Sequence, residues 1–149
     1  MSTYAPPSGK ELGDLLKKLL GRAVAAKEGA RSFDRGATAV YVDSTGTPRG
    51  YVCFELPLAA CAGAALVMLP GPAALKAVKG DTMEAQFQEN FYEVVNVLGR
   101  LFNTEDRPHV VLKDVLYGAI PAPALGRDAS FYDVDITGYT KGRLSVTAV

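Results

Sequence analysis

A chain of 149 residues with 16 Lys plus Arg against 16 Asp plus Glu has no net charge at neutral pH, so no general basic field is available to hold nucleic acid or an anionic membrane. Its length and its 48% of apolar residues suit one compact domain over residues 1–149. No charged, apolar leader opens it and its longest apolar run, residues 58–69, is too short to cross a bilayer, so a soluble, cytoplasmic protein is expected.

Residues 1–7, MSTYAPP, read as a flexible tail with little to bury. Ser8 and Glu11 then have the spacing of a capping box. Leu12, Leu15, Leu16, Leu19 and Ala23 recur on one helical face, which predicts a helix that stops near Gly29. Lys10, Lys17, Lys18 and Arg22 solvate its outer surface. Residues 38–43 and 50–56, rich in Val, Tyr and Phe and separated by STGTPR, read as a hairpin. Residues 59–69 are nearly all apolar and fit a central strand covered on both faces. Pro72 then opens a short helix that reaches Gly80.

The longest segment with a clean helical period follows, residues 81–103. Asp81 and Glu84 have capping-box spacing. At about 100° per residue, Phe87, Phe91, Val94, Val95, Leu98, Leu101 and Phe102 share one face. Glu89, Glu93, Asn96 and Arg100 form a narrow polar stripe on the opposite one. Glu93 and Asn96 leave the helix one turn apart. A Glu can pair with a cation, and an Asn amide, with donors and an acceptor, can hold and orient a water without being a base. An ordinary solvated face has the same pattern, so spacing alone does not make a site.

A polar loop leads from this helix to a strand over residues 110–117, with Lys113 and Asp114 near its exposed part. Residues 118–128 form a crossing loop, and residues 132–137 and 144–148 a closing hairpin around a Gly138 to Gly142 turn. Asp133 and Asp135 share one side of that hairpin but lack the further carboxylates of a cation site. Cys53 and Cys61 read as buried small hydrophobes rather than a disulfide. His109 has no ligand cluster around it, so neither a zinc site nor a hydrolytic triad is expected.

Residues 63–80, GAALVMLPGPAALKAVKG, and residues 89–96, ENFYEVVN, taken with the order of elements, resemble the CheC/CheX family of chemotaxis phosphatases over residues 50–115. The single Glu-x-x-Asn motif is that of CheX-like members. The resemblance implies an α/β (α+β) fold of three layers, with an antiparallel sheet crossed by the long motif helix. It also implies a phosphatase for the aspartyl phosphate of a CheY-like receiver domain, a hydrolase of two-component signalling. In that role Glu93 pairs with the receiver's lysine and Asn96 positions the attacking water; Glu89 and Arg100 lie on the same partner-facing surface, where the long Arg100 is placed either to obstruct a docking receiver or to pair with Glu93 or Glu89. The receiver brings the phosphoaspartate and its Mg2+, so no cofactor or metal of the chain's own is expected.

The chain departs from the family at Glu89, where Asp or Ser is usual, and at Arg100, where a small residue is usual. Its prolines at Pro108 and Pro121 also fall off the usual distance. The alternative is a non-catalytic domain of this fold that binds a receiver, or a homodimeric interaction module pairing through residues 143–149 as an exposed edge.

Overall fold

The first helix, α1 (Gly9–Leu20), opens as its sequence predicts: the Glu11 amide donates to Ser8 Oγ at 3.1 Å and the Ser8 amide to Glu11 Oε1 at 2.9 Å. It stops at Leu20 rather than near Gly29. Gly21 takes the left-handed conformation, φ 70°, and its N–H closes on the Lys17 carbonyl. The next residues, Val24–Gly29, form strand β1. Our computed structural model describes residues 4–30 and 33–149, so the tail expected at residues 1–7 lies partly outside the described residues. Tyr4 is packed: its ring stacks on Phe102 at 5.7 Å and its hydroxyl donates to the Leu101 carbonyl.

The hairpin predicted around STGTPR is present as β2 (Arg35–Val42) and β3 (Pro48–Phe54). Asp43 organises its turn, since Oδ1 accepts the Thr45 hydroxyl and the Thr45 and Thr47 amides while Oδ2 accepts Arg49 Nε at 2.7 Å. These donors, Thr45 foremost and then Arg49, hold the Asp43 carboxyl well below its ordinary range. A depressed folded-state pKa means that the ionised carboxylate favours the fold above the unfolded-state value of about 4, and that this contribution fades as pH falls toward the folded-state pKa. The stability lost in Asp43→Asn is therefore expected to be largest above about pH 5 and to shrink below about pH 4, read from denaturant unfolding at stepped pH. A difference that stays constant down to acid pH would show that the carboxylate's charge contributes nothing.

Residues 59–69 are not a strand. Residues 59–66 belong to α2 (Leu56–Leu66), which is buried from Leu58 to Ala65, and residues 67–69 lead out of it as a turn. An apolar run buried all round carries no period, but this one is rich in Ala, has no β-branched residue and has Pro57 in its first turn, all of which favour a helix. The short helix α3 (Gly71–Ala77) ends earlier than expected, giving way to a two-strand ladder of β4 (Val78–Lys79) and β5 (Thr82–Met83). Asp81 therefore caps nothing: it lies in the turn of that ladder and forms an ion pair with Arg35. The long helix, α4 (Ala85–Leu98), starts after Glu84, whose side chain makes no cap, and passes into a 3-10 turn at Gly99–Leu101.

Three more strands complete the sheet: β6 (Val111–Ala119), β7 (Ser130–Ile136) and β8 (Gly142–Ala148). The order is β1-β7-β8-β3-β2-β6 and every pairing is antiparallel. Residues 143–149 are thus no edge, because β8 lies between β7 and β3 and is hydrogen-bonded to both. Among the described residues, pairing through an edge of this sheet would have to use β1 or β6.

The helices cover one face, burying Ala37, Ala39, Tyr41, Val52, Phe54, Tyr132, Val134, Leu144 and Val146. On the far face the crossing loop, which contains a 3-10 turn at Ala122–Leu125, covers Val40, Val42, Tyr51 and Cys53. Cys53 and Cys61 are free thiols packed in different clusters, one on each side of the sheet. Asp133 pairs with Arg143 at 3.5 Å on the exposed part of the β7–β8 hairpin.

Candidate functional site

The sequence places its most suggestive residues on α4, and the fold holds that helix rigidly. Phe87, Phe91, Val94, Val95 and Leu98 are all buried, and Phe91 meets Phe54 edge-on at 4.9 Å. The C-terminal end is fixed by a contact the sequence does not announce. As α4 tightens into the 3-10 turn, the Gly99 N–H turns to the Asn96 and Val97 carbonyls. The buried Tyr41 hydroxyl, from β2, donates to the Val95 carbonyl at 2.5 Å. Burial raises the Tyr41 pKa well above its ordinary value, so the hydroxyl stays a neutral donor. Tyr41→Phe leaves this carbonyl without that partner beside Asn96, and a loss of about 1–3 kcal/mol in unfolding free energy is expected. An unchanged denaturation midpoint would mean that the bond has no net value.

The outward face of α4 is as predicted: Glu89, Glu93, Asn96 and Arg100 are all exposed. None forms an ion pair or a side-chain hydrogen bond among the described residues, so Arg100 does not pair with either glutamate. The helix contains no Lys or Arg of its own. Glu89 and Glu93, four residues apart, therefore repel at a cost of about 0.2–0.5 kcal/mol with nothing in the helix to offset it. A compensating cation has to come from outside. Arg100 belongs to the 3-10 turn rather than to α4, so it continues the stripe beyond the end of the regular helix.

The fold adds a second wall. Gln88, Glu89, Tyr92 and Glu93 of α4 face Asp114, Val115 and Tyr117 of β6 across a shallow groove of about 330 Å³. Asp114 and Tyr117 were not candidates from the sequence. Their place beside α4 depends on the long-range pairing of β6 with β2, which has no local sequence signal. Among the described residues no His, Lys, Arg or Cys lines the groove. Burial, and after it the charge of Asp114, pushes the Tyr117 phenol up to about 12, so it too remains protonated. His109 is exposed just ahead of β6 and is not among the lining residues. Among the described residues no group of three or more His, Cys, Asp or Glu is arranged to hold a metal ion. No helix of the described residues is long and apolar enough to cross a membrane.

Chemically, this surface offers carboxylates to a cation and one amide able to orient a small polar molecule, with little acid-base capacity. It is a surface for positioning.

No protein-family model matches the chain, and no curated protein matches it by sequence. Solved structures do match its fold. FliY from Thermotoga maritima superimposes with a TM-score of 0.60 at 10% identity, covering 99% of this chain and 93% of that one. A chain of the CheX-CheY-BeF3-Mg2+ complex from Borrelia burgdorferi gives 0.50 at 10% identity, covering 90% of each. A CheC-like superfamily protein from a Shewanella species gives 0.50 at 12% identity, covering 91% of this chain and 90% of that one. At such identities the likeness carries the fold alone: the chain has the CheC/CheX-like fold, a mixed α/β domain on an antiparallel sheet.

Proposed function

We propose that this domain of the CheC/CheX-like fold is a phosphatase for the aspartyl phosphate of a CheY-like receiver. The observation that carries this reading is the pair Glu93 and Asn96, one turn apart on the outward face of α4, exposed and without a partner among the described residues. The structure of CheX in complex with CheY, BeF3 and Mg2+ shares this fold and supports a receiver as the partner. In this reading the receiver brings the phosphoaspartate and its Mg2+, and the phosphatase brings two side chains. Glu93 accepts the receiver's lysine, which orients the phosphoryl group. Asn96 holds a water in line with the phosphorus–oxygen bond that breaks. Phosphoryl transfer is catalysed mainly by such orientation and by charge stabilisation, which is what an acid-base-poor surface can supply.

A second reading rests on Arg100. It is exposed and unpaired among the described residues one turn beyond Asn96, where its long side chain would share any docking surface with the receiver. There the domain binds a receiver, or pairs as a homodimer, without hydrolysis. The two are separated by mixing the protein with phosphorylated receivers and following both association and loss of phosphate. Accelerated loss supports the phosphatase. Association with the phosphate intact overturns it in favour of the binding module.

A further inference from the structure

The crossing loop covers only part of the far face of the sheet, and beside it β1, β7 and β8 leave an open recess of about 650 Å³. Tyr132, Val134 and Leu144 point into the helix-side core, so Asp133, Asp135 and Arg143, which alternate with them, lie on this open face. The register sets Lys27 of β1 opposite Asp133, and Asp133 opposite Arg143. Glu55, whose amide donates to the Arg143 carbonyl at 3.0 Å, continues the line just past the end of β3. Lys27, Asp133, Arg143 and Glu55 thus cross four strands in one line of alternating charge, and all four line the recess. Beside that line Asp135 pairs with Lys141 at 4.0 Å.

A wet antiparallel face ordinarily neutralises its charges by pairs across neighbouring strands, as Asp133 does with Arg143. The two ends of this line are not neutralised: among the described residues neither Lys27 nor Glu55 forms an ion pair. They stand three strand spacings apart, about 14 Å, with Asp133 and Arg143 between them, and do not reach each other. We infer that this face pairs with the same face of a second copy, about a two-fold axis that runs along the strands between β7 and β8. Such an axis reverses the line. Lys27 then meets Glu55 of the second copy and Asp133 meets Arg143 of the second copy, each contact occurring twice. Asp135 and Lys141 are matched in the same way, so each of the six charges lies against an opposite one. The other face-to-face two-fold, along the line itself, lays every residue over its own copy and sets like charges together. The charge pattern therefore selects the first axis. The exposed Lys27, Lys141 and Arg143 have the length to enter the recess of the facing copy. This pairing joins faces and adds no strand to β1 or β6. It also leaves Glu93 and Asn96 of both copies open, since α4 packs on the opposite side of the sheet.

The test is sedimentation equilibrium of the full chain over a series of concentrations, at low and at raised salt. The wild type is expected to form dimers at low salt, with a dissociation constant that climbs about tenfold or more at about 0.5 M salt, because the contacts are exposed and screened. Asp133→Lys and Arg143→Glu are each expected to weaken self-association about tenfold or more, since each sets like charges against one another twice. Mixed in equal amounts, the two variants should associate again at low salt, because in the mixed pair every contact is once more opposite in sign. Damage to the strand, or loss of the pair within the chain, gives no such recovery. Lys18→Glu, on the outer surface of α1, is the control and should leave the constant unchanged. A wild type that stays monomeric at low salt up to about 1 mM overturns the inference. So does a dimer that survives both reversals, which would put the interface elsewhere, and so do two reversals that stay monomeric when mixed.

Discussion

Asn96→Ala is expected to slow the accelerated loss of receiver phosphate by about 10²-fold, a factor typical of losing the alignment of a reacting group. Asn96 is exposed and its side chain makes no hydrogen bond among the described residues, so the substitution removes none from the fold. Ala is the better helix former by at most about 0.7 kcal/mol, and surface changes of this kind move stability by about 0.5 kcal/mol. A loss of activity could not then be assigned to unfolding. Association with the receiver should survive, because Glu89 and Glu93 remain in place. The variant should lose kcat far more than KM. Phosphate loss at the wild-type rate would remove Asn96 from the mechanism.

The second large effect lies behind the helix. A Cβ added at Gly63 would sit 3.2 Å from the Phe91 amide nitrogen and Asn90 Cβ and 3.3 Å from the Phe87 carbonyl oxygen. Two of these are backbone atoms of α4, so no side chain can rotate away and the helix itself has to move. For Gly63→Ala, the gain in helix propensity of about 1 kcal/mol competes with overpacking of similar size, and the two nearly cancel. For Gly63→Leu the propensity gain is no larger, while three further carbons have no space. A loss of about 3 kcal/mol or more is expected, a large share of a typical domain's 5–15 kcal/mol. Displacing α4 should also cost phosphatase activity at temperatures where the variant is still folded. A denaturation midpoint equal to that of the wild type would show that α2 and α4 are not in close contact.

The legibility of this chain in its sequence follows from which elements keep one wet face. α4 was readable because Phe87, Phe91, Val94 and Leu98 alternate with Glu89, Glu93 and Asn96 at helical spacing, and every one of them lies on the face that spacing gives. α2 has no legible period, because burial all round erases it and leaves only composition to separate helix from strand. β1 reads as a continuation of α1 because VAAKEG, mostly helix formers, offers one β-branched residue. The decisive sign is Gly21 one turn after Lys17 and Lys18, the ordinary composition of a helix end. At the site, the helix wall could be read residue by residue. Asp114, Tyr117 and Tyr41 could not, since their roles depend on β2 and β6 lying together beneath α4, and such pairing is a property of the whole sheet.

The most direct test is the decay of phosphate from receiver domains of the same genome, charged with a small phosphodonor, at a substoichiometric amount of the wild-type protein. One receiver or more should lose phosphate over many turnovers per protein molecule, with the acceleration absent in Asn96→Ala. Decay at the spontaneous rate for every receiver, even where the protein is bound in excess, would contradict the phosphatase assignment.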